Sequence, residues 1–307
     1  KMQPLTSSRL KGNWATILLP LCEDERIDFR QLREQISRLI EAGVDGIYCN
    51  GTSCEFYNQT EDEFDSIVQL LSEMCESAGM AFQIGASHMS PITSLERIKR
   101  ARGLKPGAFQ VILPNWHPLA REEQVRFMRR LAEASDGIGL VLYNPGFAST
   151  YLDPDELAML CRAVPQIIGV KGPWRKKLRE HCPDLSIFVP GHELATAYSE
   201  DASGAYSNMA CLNPQAAQHW YQQMQTDLDG ALELESRIQE FMEKHIHPYI
   251  AQRGFSGQAV DKFMAAVGKW CGITPKMRWP HKSIPTEDLD SCRAAVKEII
   301  PEFIKAG

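Results

Sequence analysis

GIGLVLYNPGFASTYLDPDELAMLCRAVPQIIGVKG, residues 137–172, contains one complete structural unit. Two short apolar, β-branched runs, 139–144 and 166–172, flank an amphipathic stretch at 154–164, and Asp153 stands where a helix N-cap belongs. Strand, helix, strand in that order predicts two parallel strands joined by a crossover helix. The same alternation returns at intervals of about 25 to 30 residues, with strands expected at 15–21, 46–51, 81–87, 108–114, 139–144, 166–172, 186–191 and 204–209. Amphipathic helices are expected between them, among others at 29–42, 61–78, 121–134 and 154–164. Eight βα repeats make an α/β fold of the (β/α)8 TIM-barrel type, where an open doubly wound sheet would need fewer. Beyond Pro214 the strand signals stop, and helices are expected at 214–228, 230–253, 257–270 and 286–306, with a proline-rich link at 273–285. The chain thus divides into a barrel domain, 1–228, and a C-terminal helical region, 229–307, read as a cap or association surface.

Composition narrows the function classes. With 44% hydrophobic and 23% charged residues, the 307-residue chain can bury a substantial core and lacks the signature of disorder. A net charge of -6 offers no basic footprint for nucleic acid or an anionic membrane, so a small polar metabolite is the expected partner. No apolar run approaches the roughly 18 residues that span a bilayer, and residues 1–14 lack the apolar core of a signal peptide; a cytoplasmic location is expected. The nine cysteines are odd in number and scattered, as reduced thiols acting as small hydrophobes would be.

Active sites of such barrels form at the C-terminal ends of the strands. The sixth expected strand ends on Lys171, at the close of an otherwise apolar run. Desolvation lowers the pKa of an amine, which suits a Schiff-base nucleophile, although a structural ion pair at the rim would also place a lysine there. The fifth ends on Tyr143, beside Lys171, as a proton donor and acceptor or as a rim tyrosine with a satisfied hydroxyl. After the second comes Gly51-Thr52-Ser53, whose hydroxyls and N–H groups suit a carboxylate or simply cap a helix. Gly191 and His192 follow the seventh and are candidates for the variable end of a substrate. His245 with His247, and Cys49 with Cys54, lack partners at metal-binding spacing, so no metal is expected.

Four segments, GVDGIYCNGTSCEF (43–56), VLYN (141–144), IIGVKG (167–172) and GAYSNMACLNP (204–214), resemble the dihydrodipicolinate synthase and N-acetylneuraminate lyase family of class I aldolases. The resemblance implies pyruvate held as an imine on Lys171, its carboxylate on Thr52 and Ser53, Tyr143 relaying protons, and Tyr206 of the eighth strand near the substrate. It implies no cofactor or metal, and a homo-oligomer, dimer or tetramer. Three departures matter. The segment 145–150 has no arginine to take a second carboxylate and offers Phe147 instead. Trp116 stands where relatives place a second relay tyrosine, so that part of the relay is lost or rerouted, with His117 as one route. Cys54 replaces a small glycine in the carboxylate turn. The expected reaction is cleavage of a 2-keto-3-deoxy sugar acid, or a related 4-hydroxy-2-oxo acid, to pyruvate and an aldehyde. A dehydratase of such an acid and a non-catalytic keto-acid binder are the alternatives.

Overall fold

A computed structural model describes residues 2–304. Eight strands form a closed, all-parallel barrel: β1 Gly12–Thr16, β2 Gly46–Cys49, β3 Phe82–Gly85, β4 Ala108–Val111, β5 Gly139–Tyr143, β6 Ile167–Lys171, β7 Ser186–Pro190 and β8 Gly204–Tyr206. Around it run α1 Phe29–Glu41, α2 Glu61–Ala78, α3 Pro91–Ala101, α4 Arg121–Ala134, α5 Pro154–Ala163, α6 Lys176–His181 and α7 Leu194–Ser199. The chain continues through α8 Met209–Leu212, α9 Pro214–Met224, α10 Leu228–Phe241, α11 His247–Ala251, α12 Gly257–Gly268 and α13 Leu289–Ile299.

Local chemistry sets many of these boundaries. Thr60 and Glu63 close a capping box at the start of α2, and Asp153 accepts from the N–H groups of Asp155 and Glu156 ahead of Pro154 at the start of α5. Helices expected at 61–78 and 121–134 are found with those limits, the first because cap and periodicity agree and the second with Glu123 accepting from the Ala120 N–H.

The first strand departs from expectation: it covers Gly12–Thr16, and the apolar residues 17–19 lie beyond it, fully buried. There the side-chain amide of Gln35 replaces a neighbouring strand, accepting from the Leu18 N–H at 2.6 Å and donating to the Leu18 carbonyl at 3.0 Å. The helix expected at 230–253 breaks into α10, a π-turn at Met242–Ile246 and α11, because Pro248 supplies no N–H to the helical ladder. The helix expected at 286–306 ends at Ile299 ahead of Pro301, and Ala306 lies outside the described residues.

Apolar residues pack in two layers, with a small third cluster of Leu18, Cys211, Ala265, Cys271 and Ile273. The larger joins the outer faces of the strands to the helices. The smaller fills the barrel with Leu10, Trp14, Tyr48, Ala108, Val141, Phe188 and Tyr206. The proline-rich link is fastened in its first half: Lys276 donates to the Cys22 carbonyl at 3.0 Å, and Arg278 pairs with Glu63 at 2.7 Å and donates to the Glu25 carbonyl at 2.9 Å. That strap seats α12 over the barrel mouth. No described helix is long and apolar enough to cross a membrane.

Candidate active site

Parallel strands that end in register deliver their last side chains together. Tyr143 is paired with Lys171 across β5 and β6, and Pro190 with Tyr206 across β7 and β8. Above them opens a cavity of about 510 Å³. Lys171, Tyr143, Thr52, Ser53, Phe147, His192 and Tyr206 all line it.

The Lys171 amine is enclosed by three rings, with Nζ 4.4 Å from the Tyr143 centroid, 5.2 Å from Tyr206 and 5.4 Å from Tyr48. Burial lowers its pKa to about 8, against the opposing charge of Asp261. Among the described residues it enters no direct ion pair, so the rim ion pair considered from sequence is not formed. Burial also raises the Tyr143 phenol to about 12, which keeps it a donor at neutral pH, while the Thr52 hydroxyl beside it acts in the other direction. Tyr206 donates to Gln83 at 2.8 Å, inside the barrel.

The turn after β2 is shaped by two residues in the left-handed region, Asn50 and Glu55, each with φ of 55°. Asparagine tolerates this conformation, whereas for a glutamate it costs about 1 kcal/mol and needs an external hold. Lys262 of α12 provides it, 2.7 Å from Glu55, with both side chains fully buried. Lys262 also donates to the Lys276 carbonyl at 2.9 Å. Cys54 does not occupy a left-handed position; its buried thiol turns inward, 3.6 Å from the Asn50 side-chain oxygen. Among the described residues no carbonyl engages the N–H groups of Thr52 or Ser53, which remain available to an anion.

Other expected residues fall elsewhere. Gly191 does not line the cavity; it backs the rim, where any side chain would strike Ser207. Trp116 and His117 also stay outside it, and Trp116 is 88% exposed. The reason is local: Ser149 binds the Asn115 side chain and carbonyl, at 2.8 Å and 2.6 Å, and this pins the loop after β4 sideways with the indole outward. His245 stacks on Phe241 while His247 lies 6.1 Å from His192, so the two histidines do not converge.

Asp261 was not foreseen. It stands on α12, lines the cavity with Lys171 and accepts a hydrogen bond from Ser53. Burial raises its carboxyl to about 6, with the Ser53 hydrogen bond and Lys171 acting against the rise. The readable signal was the pair Asp261-Lys262 inside the apolar helix GQAVDKFMAAVG, where two adjacent charges must each find a buried partner. The far side of the cavity is built by the tail as well, from Met242, Ile246, His247, Ile250 and Met264. His192, held by Asn208 at 2.9 Å, keeps its imidazole below the ordinary pKa through burial, against the pull of Glu193.

A closed (β/α)8 barrel with a desolvated amine, a tyrosine and an anion-ready turn at one mouth defines the class of molecule. The chain belongs to the Dihydrodipicolinate synthetase family, whose model matches residues 9–299. It is 26% identical over 191 residues to the N-acetylneuraminate lyase of Escherichia coli K12, an alignment covering 59% of this chain and 63% of the relative. The chain therefore aligns with under two thirds of the length of these curated relatives. Among solved structures, YagE of E. coli K12, a prophage protein of the dihydrodipicolinic acid synthase family in complex with pyruvate, superposes with a TM-score of 0.82. It is 17% identical, and the match covers 94% of this chain and 98% of that one. The Ruminococcus gnavus sialic acid aldolase gives 0.82 at 18% identity, covering 96% and 98%. At these identities the structural likeness is one of fold.

Proposed function

We propose that this protein is a Schiff-base lyase that cleaves a 2-keto-3-deoxy sugar acid, or a related 4-hydroxy-2-oxo acid, to pyruvate and an aldehyde. The observation that carries the reading is the Lys171 amine, desolvated toward neutrality within a cage of tyrosines and open to a cavity of substrate size. A neutral amine attacks the keto carbon, water leaves, and the resulting iminium withdraws electrons from the bond between C3 and C4. The C4 hydroxyl loses its proton as the aldehyde departs, and the enamine left on Lys171 is reprotonated and hydrolysed to pyruvate. Tyr143, a donor at neutral pH, serves the hydroxyl that must leave during imine formation.

The N–H groups and the Thr52 hydroxyl take the keto acid's own carboxylate. Around the distal end stand Phe147, Met242, Ile246 and Ile250, with His192 and His247 as polar contacts, which supports an uncharged substrate terminus. Borohydride reduction in the presence of pyruvate tests the reading. The expected result is one added pyruvyl mass on Lys171, accompanied by aldehyde release from a keto-deoxy acid. Water loss without cleavage would instead mark a dehydratase, and no adduct a non-catalytic binder.

A further inference from the structure

The reaction on Lys171 needs a group that accepts a proton, and most side chains around the amine are committed or unsuitable. Tyr206 donates its hydroxyl to Gln83 at 2.8 Å. Tyr143 and Tyr48 are both raised by burial and hold their protons. His192 is occupied by Asn208 toward the rim, and Trp116 and His117 do not reach the cavity. Asp261 remains. One of its oxygens, Oδ2, accepts from Ser53; the other, Oδ1, has no hydrogen-bond partner among the described residues and is not sealed from the cavity.

We propose that Asp261, lent to the barrel by α12, is the base that takes the C3 proton of the keto acid once it is joined to Lys171, and the acid that returns it. The proposal rests on the Schiff-base reading above. In enamine formation from bound pyruvate the C3–H bond breaks, its electron pair becomes the C2–C3 double bond, the C=N pair moves to nitrogen, and the proton ends on the Asp261 carboxylate. After cleavage, the direction of the proposed lyase, Asp261 delivers that proton, or one exchanged with solvent, to C3 of the enamine. No oxidant, metal or second substrate is required.

Ser53 holds the carboxylate in place and favours its charged form. Lys171 on β6 is the charged group that acts on Asp261, and the Asp261 charge in turn raises Tyr143 on β5, Tyr48 on β2 and Cys211 on α8. Glu193, His192 and His247 stand along the same cavity. Its carboxyl, raised to about 6, is mostly ionised at neutral pH yet protonated often enough to act in both directions.

Pyruvate alone tests this, because exchange of its methyl protons into D2O above the protein-free background runs through the enamine, whereas borohydride traps the imine that precedes it. The full chain at saturating pyruvate should exchange with an acid limb near the Asp261 pKa. Asp261→Asn should still give the borohydride adduct on Lys171 but exchange about 10²-fold more slowly, without that limb. Ser53→Ala, which keeps the carboxylate but removes the donor that lowers its pKa, should move the limb to higher pH. An adduct with undiminished exchange in Asp261→Asn, or an unmoved limb in Ser53→Ala, overturns the assignment of Asp261 alone. Absence of any adduct in the unaltered protein overturns the Schiff-base reading and this inference with it.

Discussion

Lys171 lies among three rings and opposite a carboxylate, and burial outweighs both of these stabilising influences on its charge. That imbalance has a consequence for stability. With a folded-state pKa of about 8 against an ordinary 10.5, the folded chain gives up this proton more readily than the unfolded one. The unfolded state then binds more protons between those two values, so stability rises with pH across that window, and the whole penalty is present below about 8. Lys171→Met should therefore lose the pyruvate adduct and all turnover while raising the Tm at pH 7. The gain should shrink between pH 8 and pH 10.5, which thermal unfolding followed across that range will measure. For Tyr143→Phe, turnover should fall by about 10²-fold with little change in pyruvate binding, read as kcat against KM. A fall confined to KM would assign the phenol to binding alone. Both residues were legible in the sequence because β5 and β6 end in register, so two strand-end positions read from a line of letters become neighbours in space.

Helix α12 is the element on which the site depends most and which the sequence disclosed least. Its apolar periodicity is plain and marks the tail as a cap, yet nothing in spacing alone points residues 261 and 262 back across two hundred positions to Ser53 and Glu55. Strand-end residues are placed by the barrel; a residue from an appended helix is placed only by packing. The same limit applies to Trp116, whose direction is decided by Ser149 binding Asn115 from the neighbouring loop. The Glu55–Lys262 pair gives a measurable handle, since removing one member strands a charge in the interior. Lys262→Ala should cost about 3–5 kcal/mol in chemical denaturation. Lys244→Ala, which breaks the exposed Lys244–Glu240 pair, should leave the unfolding midpoint where it is. Equal effects from the two would mean that the buried pair is not the clamp of the turn.

Across the molecule, the eightfold βα pattern carried the fold, while the limits of individual elements were legible only where caps and periodicity coincided, as at α2, and not where Gln35 takes over from the first strand. Substrate choice is also decided at this scale, because the distal half of the cavity is assembled jointly by the loop at Phe147 and by the tail helices. With no guanidinium in residues 145–150 and isoleucine and methionine opposite, aspartate semialdehyde with pyruvate should give no useful turnover, whereas a keto-deoxy acid with a neutral end should. A kcat/KM comparison of the two decides it, and a preference for the semialdehyde would require a cation from outside residues 145–150 to supply the missing charge.

The strap at Lys276 and Arg278 bears on how the molecule comes into being. Ribosomes release a protein from its N-terminus, so all eight strands have been made before α12, and Glu55 must wait without its counter-ion until Lys262 emerges. A nascent chain halted before α12 would have Lys171 but not Asp261, and the turn after β2 would still be unclamped. Synthesis of α12 therefore acts as an assembly checkpoint: the clamp on the turn after β2 and the carboxylate beside Lys171 both arrive with that one helix.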